Sequence, residues 1–186
     1  MTPFEHLSVL ISIVLGLGLT QLLTNVHRLV QAGRRVRLYW LTILWTALIF
    51  VSQIEWWWAS FALRHDTVWN FFYFLFLLLS PVSLYLAAAF VLPEFESERT
   101  YDLRVYYYDN RGWLFAMLAL SPALDAVRRA VQAGSARDFG ALSNAVSAVL
   151  LAALAVSRRA WLHAVVTLGV ASLFLYFIVD AALQLR

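Results

Sequence analysis

Six long runs almost free of charge constrain this chain more than any other feature of it. A helix that crosses a bilayer needs about 20 consecutive, mostly apolar residues. Six segments reach that length: residues 6–29, 39–63, 68–92, 112–131, 139–157 and 160–185. Hydrophobic residues make up 62% of the 186 and charged residues 13%, too little charge to cover the surface of a water-soluble fold. The expected fold is therefore all-α, a polytopic bundle of six transmembrane helices in a single domain. Residues 1–92 form a first three-helix half, 93–111 a polar connecting loop and 112–186 a second half. The opening "MTPFEHLSVLIS" has no basic n-region and no small-residue cleavage site, so the first run is expected to stay as a spanning helix.

The net charge of +3 does not point to nucleic acid. The basic residues are all arginine and lie between the apolar runs or at their ends, where topology signals belong. Arg28, Arg34, Arg35, Arg37, Arg99, Arg104, Arg111, Arg158 and Arg159 fall on one side of the bilayer. Arg64, Arg128, Arg129, Arg137 and Arg186 fall on the other. Positive charge collects on the cytoplasmic side, so both termini are expected outside. Tryptophans at the ends of the runs, Trp40, Trp56 to Trp58, Trp69, Trp113 and Trp161, match the aromatic belts of a bilayer. Cysteine is absent, which excludes disulfides, thiol catalysis and thiolate metal sites.

"VQAG" occurs at 30–33 and again at 131–134. At the same offset Leu23, Val26, Arg28 and Leu41 align with Leu124, Val127, Arg129 and Leu142, and Thr42 and Thr46 with Ser143 and Ser147. Two three-helix halves related in this way would run in opposite directions, a 3+3 inverted repeat of the kind found in transporters; chance similarity among apolar helices gives the same pattern. Small residues recur every fourth position at Ser8, Ser12, Gly16, Thr20 and Thr24, and at Ala141, Ala145, Ala148 and Ala152. Such stripes predict helix-packing seams. Pro81 and Pro122 predict kinks in the third and fourth helices.

The stretch "FVSQIEWWWASFAL" at 50–63 places Glu55 inside an apolar run, where a charge costs about 2.5–3.5 kcal/mol at the bilayer centre. Glu55 shares a helix face with Ser52 and Ala59, leaving the tryptophans to the other faces. Asp125 and Asp180 are the other acids within spans, and Glu5, His6, Arg128 and Arg129 are expected at the same depth. Ser121, Asp125 and Arg129 form one polar stripe, and Ser172, Tyr176, Asp180 and Gln184 another. The expected site is an outer-leaflet polar cavity lined by Glu55, Asp125, Asp180, His6, Glu5, Arg128, Ser52 and Tyr176. The competing structural reading pairs Asp125 with Arg129 within their helix and Glu55 with Arg128 as glue. His27 and His163 are the candidates for a bis-histidine haem, although both stand at helix ends where interfacial histidines are ordinary. No paired-histidine spacing marks a metal site, no cofactor is expected, and no phosphate loop or nucleophile elbow occurs.

"FEHLSVLISIVLGLGLTQLL", "RRVRLYW" and "DLRVYYYDNRGW" resemble a family of uncharacterised bacterial multi-pass membrane proteins. The resemblance covers most of the chain and implies a bacterial inner-membrane location, without an activity or site residues. The functional expectation is a small channel or transporter for a cation or small solute. A non-catalytic scaffold or sensor and a haem-bearing redox protein stand as the alternatives. The partners expected are the lipid bilayer and a second copy of the chain, together with the solute.

Overall fold

The computed structural model describes residues 2–65, 69–95, 99–132 and 139–184; the side chains of Pro3, His65 and residues 176–184 lie outside that description. The fold is all-helical, with six long helices: α1 (Pro3–Ala32), α2 (Trp40–Ser60), α3 (Phe71–Phe90), α4 (Leu103–Gln132), α5 (Phe139–Val156) and α6 (Ala160–Gln184). Among the described residues three segments are long and apolar enough to cross a membrane: Phe4–Arg35, Phe71–Phe90 and Phe139–Val156. The protein is thus membrane-associated, and its exterior agrees. Phe71, Phe72, Phe139 and Val156 each expose more than 70% of their surface, an arrangement suited to hydrocarbon rather than water.

Local chemistry sets the helix ends. Thr2 and Glu5 form a capping box at the start of α1: the Glu5 amide donates to Thr2 Oγ1 at 3.2 Å, and the Thr2 amide donates to Glu5 Oε2 at 2.9 Å. Two of the helix's orphan amides are satisfied in this way. Gly33 ends α1 at φ +52°, a conformation that a side chain resists. Asn70 Oδ1 accepts from the Tyr73 amide at 2.9 Å at the start of α3, and α3 and α4 continue as helices through Pro81 and Pro122.

The helix ends gather at two poles. Two-residue strands β1 (Val36–Arg37) and β2 (Tyr101–Asp102) pair in parallel, and Tyr39 and Tyr108 meet hydroxyl to hydroxyl at 3.2 Å. Arg111 Nε donates to the Ser157 carbonyl at 3.0 Å, and the Tyr106 hydroxyl to the Leu92 carbonyl at 3.2 Å. These contacts bring together the ends of α1, α3 and α5 and the starts of α2, α4 and α6. At the opposite pole Phe4 meets Phe61 with ring centroids 6.4 Å apart, and Asn144 of α5 bonds Asp125 of α4. Successive helices therefore run antiparallel, with α4 packed most closely on α5 and α3 on both α1 and α4.

Two expectations are corrected. The fourth helix begins at Leu103, not near residue 112, so much of the expected loop 93–111 is helix. Asp102 Oδ1 accepts from the Arg104 and Val105 amides at 2.8 and 3.3 Å, capping the new first turn. Second, the small-residue stripe of α1 is not its seam. Ser12, Gly16, Thr20 and Thr24 are exposed, and a Cβ built on Gly16 meets nothing within 4 Å. The buried stripe is Leu7, Ile11, Leu15, Gly18, Leu22 and Asn25. The hydroxyl residues tolerate an apolar exterior because they bond their own helix: Ser8 to the Glu5 carbonyl, Ser12 to Ser8 and Thr20 to Gly16, at 2.8–3.0 Å. On α5, Ala141 is buried, Ala145 and Ala148 are half-buried and Ala152 is exposed. One pair of positions aligned by the sequence repeat differs in burial. Leu41 is 1% exposed and its counterpart Leu142 is 56% exposed.

Candidate functional site

The charged site is built on one face of α4. Residues three and four apart share a helix face, and this places Arg128 and Arg129 around Asp125. Asp125 Oδ1 accepts from Arg128 Nε at 3.1 Å and Nη2 at 2.6 Å. Its Oδ2 accepts from Arg129 Nε at 2.7 Å and from Asn144 Nδ2 of α5 at 2.7 Å. Arg128 Nη1 reaches on to Gln132 Oε1 at 3.2 Å. A carboxylate offers about four lone-pair sites, and Asp125 uses all of them on its neighbours. It is a helix-to-helix anchor, as the structural reading of its sequence spacing holds.

Glu55 differs. It stands on α2 facing this cluster, repelled by Asp125 and attracted by Arg129. Among the described residues it makes no hydrogen bond and no ion pair, including the pair with Arg128 that its sequence admits. Its side chain is exposed. An exposed carboxylate thus stands beside one that is neutralised by its neighbours.

The remaining predicted residues spread out. Ser52 is half-buried on the Glu55 face, and His6 is exposed. Glu5 belongs to the α1 cap and not to a cavity. Tyr176 and Asp180 have side chains outside the described residues. Among the described residues no group of three or more His, Asp or Glu is placed to hold a metal ion.

The haem candidates do not form a pair. His27 is exposed, whereas His163 is fully buried with both ring nitrogens in use. His163 Nε2 lies 3.0 Å from the Ser157 carbonyl, which only accepts, so this nitrogen carries the proton. Nδ1 of the neutral ring is then an acceptor, and the Tyr107 hydroxyl donates to it at 2.9 Å.

That bond centres a knot at the arginine-rich pole that sequence reasoning missed. Tyr107 sits among Tyr39, Tyr108, Phe115 and His163 at ring separations of 5.2–5.8 Å. Beside it Trp45 Nε1 of α2 donates to Thr167 Oγ1 of α6 at 2.9 Å. The available signal was spacing: Leu103, Tyr107, Leu114 and Leu118 lie on one helical face, and all four are buried. Also unforeseen are Asn25 and Gln53, both fully buried amides without a hydrogen-bond partner among the described residues.

Comparison with protein-family models, with curated proteins and with solved structures finds no match for the chain.

Proposed function

We propose that the chain is a six-span protein of a bacterial inner membrane that takes up a proton or small cation at Glu55, as a small channel or transporter. The observation that carries this is the contrast between two neighbouring acids. Asp125 is saturated by Arg128, Arg129 and Asn144, whereas among the described residues Glu55 makes no hydrogen bond and no ion pair. An intramembrane carboxylate without a counter-charge of its own is a functional group by default, because its burial in lipid is otherwise uncompensated.

Topology supports six spans. The three helices long and apolar enough among the described residues to cross a membrane, α1, α3 and α5, all run from the Glu55 pole to the arginine-rich pole. For them to cross in the same direction, α2 and α4 have to return through the bilayer between them, and α6, which starts at the arginine-rich pole beside the end of α5, makes the sixth span. The arginine count places the arginine-rich pole in the cytoplasm, which puts Glu55 in the outer half and both termini outside. Two halves of three helices each then have opposite directions, as a 3+3 inverted repeat requires.

The scaffold reading relied on a long free loop before the fourth helix. With α4 starting at Leu103 and Tyr107 only 1% exposed, part of that loop is packed helix instead.

Cation and proton flux into proteoliposomes tests the proposal. Wild-type protein is expected to carry flux, and Glu55→Gln, which keeps the size and removes the charge, is expected to abolish it with unchanged thermal stability. Asp125→Asn is expected to act the other way, lowering stability by about 1–3 kcal/mol because the arginines and Asn144 lose a charged acceptor. Absence of flux in wild type, or equal flux in Glu55→Gln, refutes the proposal.

A further inference from the structure

The connection between α1 and α2 carries Arg34, Arg35 and Arg37 in close succession, all exposed. Pairing of β1 with β2 sets Val36 against Tyr101 and Arg37 against Asp102. It thereby brings a second basic segment alongside, since Arg99 and Arg104 flank β2 and are exposed as well. Both are held against tyrosine rings. The Arg99 guanidinium carbon lies 5.7 Å from the Tyr101 ring centroid, and that of Arg104 lies 5.9 Å from the Tyr39 centroid, within the range of cation–π attraction. Two stretches far apart in sequence so form one basic patch.

Little negative charge answers it. Among the described residues Asp102 is the one acid that pairs with these arginines, meeting Arg37 at 3.6 Å with the arginine side chain 84% exposed. A loose, exposed pair of this kind contributes little, and the other Asp102 oxygen is taken by the Arg104 and Val105 amides. Arg35 donates from Nε to the Ala32 carbonyl at 3.4 Å, which leaves its two Nη groups unspent. Among the described residues Arg34 makes no hydrogen bond and no ion pair.

The patch is also amphipathic. Leu38 is 65% exposed, Trp40 50% and Val105 58%, beside Arg37 and Arg104 in the chain. A free anion or an acidic protein would use the charge alone. An anionic phospholipid uses both features. Its phosphate oxygens accept from guanidinium groups, whose fork of donors matches them, while its acyl chains lie against the apolar side chains. Arginine clusters directly beside a spanning helix attract anionic lipid in this way.

We propose that Arg34, Arg35, Arg37 and Arg104, gathered by the β1–β2 pair, bind the head group of an anionic phospholipid in the leaflet at the arginine-rich pole, with its acyl chains against Leu38 and Trp40. The site is independent of any flux through Glu55.

Thermal unfolding of the detergent-solubilised full chain tests this with dioleoyl phosphatidylglycerol, dioleoyl phosphatidylcholine and inorganic phosphate. A ligand that binds only the folded state raises its melting temperature. Phosphatidylglycerol is expected to raise the melting temperature of wild type more than phosphatidylcholine does, and inorganic phosphate to leave it unchanged. In the triple variant Arg34→Gln, Arg35→Gln, Arg37→Gln the advantage of phosphatidylglycerol is expected to vanish. It is expected to survive in Arg158→Gln with Arg159→Gln, which removes two arginines from the same pole but outside the β1–β2 pair. Arg34→Gln alone, which breaks no bond of the fold, is expected to reduce the advantage and decides the matter if the triple variant does not fold. Equal shifts for the two lipids in wild type, an advantage left intact by these substitutions around β1, or one lost equally at Arg158 and Arg159, overturns the proposal. A shift from inorganic phosphate equal to that from phosphatidylglycerol overturns the choice of a lipid in favour of a free anion.

Discussion

Replacing Tyr107 by alanine is expected to destabilise the folded bundle by about 3–5 kcal/mol, the range for removing a large buried aromatic ring. Four rings, from Tyr39 just before α2 and from α4 and α6, pack edge-on against Tyr107, and among the described residues its hydroxyl is the only donor to buried His163 Nδ1. Alanine removes both contributions at once. Tyr107→Phe separates them: the ring stays, and the cost should fall to about 1–3 kcal/mol, that of one unbonded buried acceptor. Thermal unfolding in detergent, followed by near-ultraviolet circular dichroism, measures both variants. If Tyr107→Ala melts like wild type, the knot does not hold α2, α4 and α6 together.

Gly18→Ala is expected to destabilise by about 3 kcal/mol, the upper end of ordinary overpacking. A Cβ at Gly18 would overlap the Gln53 side-chain oxygen and lie 3.4 Å from Tyr85 Cα on α3. Gln53 is fully buried and has little room to retreat, and the α3 backbone has less. Gly16→Ala, two residues away on the exposed face, is expected to change the melting temperature little. A reversed order in the same unfolding assay contradicts the placement of α1, since it would put the small-residue stripe in the seam after all.

The contrast between these two glycines also marks how far the sequence is legible. Six apolar runs give six helices, and the limits of α2, α3, α5 and α6 fall within a few residues of those expected, because desolvation in lipid demands helix wherever charge is missing. Which face of a helix packs inward is less accessible. On α1 the Leu7–Ile11–Leu15 stripe and the Ser12–Gly16–Thr20 stripe are both acceptable to hydrocarbon, so polarity does not choose between them. Gly18 decides it, because the Gln53 side chain and the α3 backbone come close to α1 there. The start of α4 is hidden for a different reason: "DLRVYYYDNR" reads as polar, yet Asp102 supplies a cap and Leu103 and Tyr107 begin the buried stripe. At the charged site the pairing of Asp125 with Arg129 follows from helical spacing alone. That Arg128 and Asn144 complete its shell, while Glu55 is left open, depends on how α2, α4 and α5 meet in space.

The central claim is that the helices cross the bilayer alternately, with Glu55 at the outer pole. Because the chain has no cysteine, single cysteines report sidedness without background. In intact cells, a membrane-impermeant maleimide is expected to label Arg64→Cys and Phe139→Cys, whereas Arg35→Cys and Arg159→Cys react only after the membrane is opened. Labelling of Arg35→Cys and Arg64→Cys from the same side would contradict the account, because α2 would then not cross and Glu55 would not lie within the membrane.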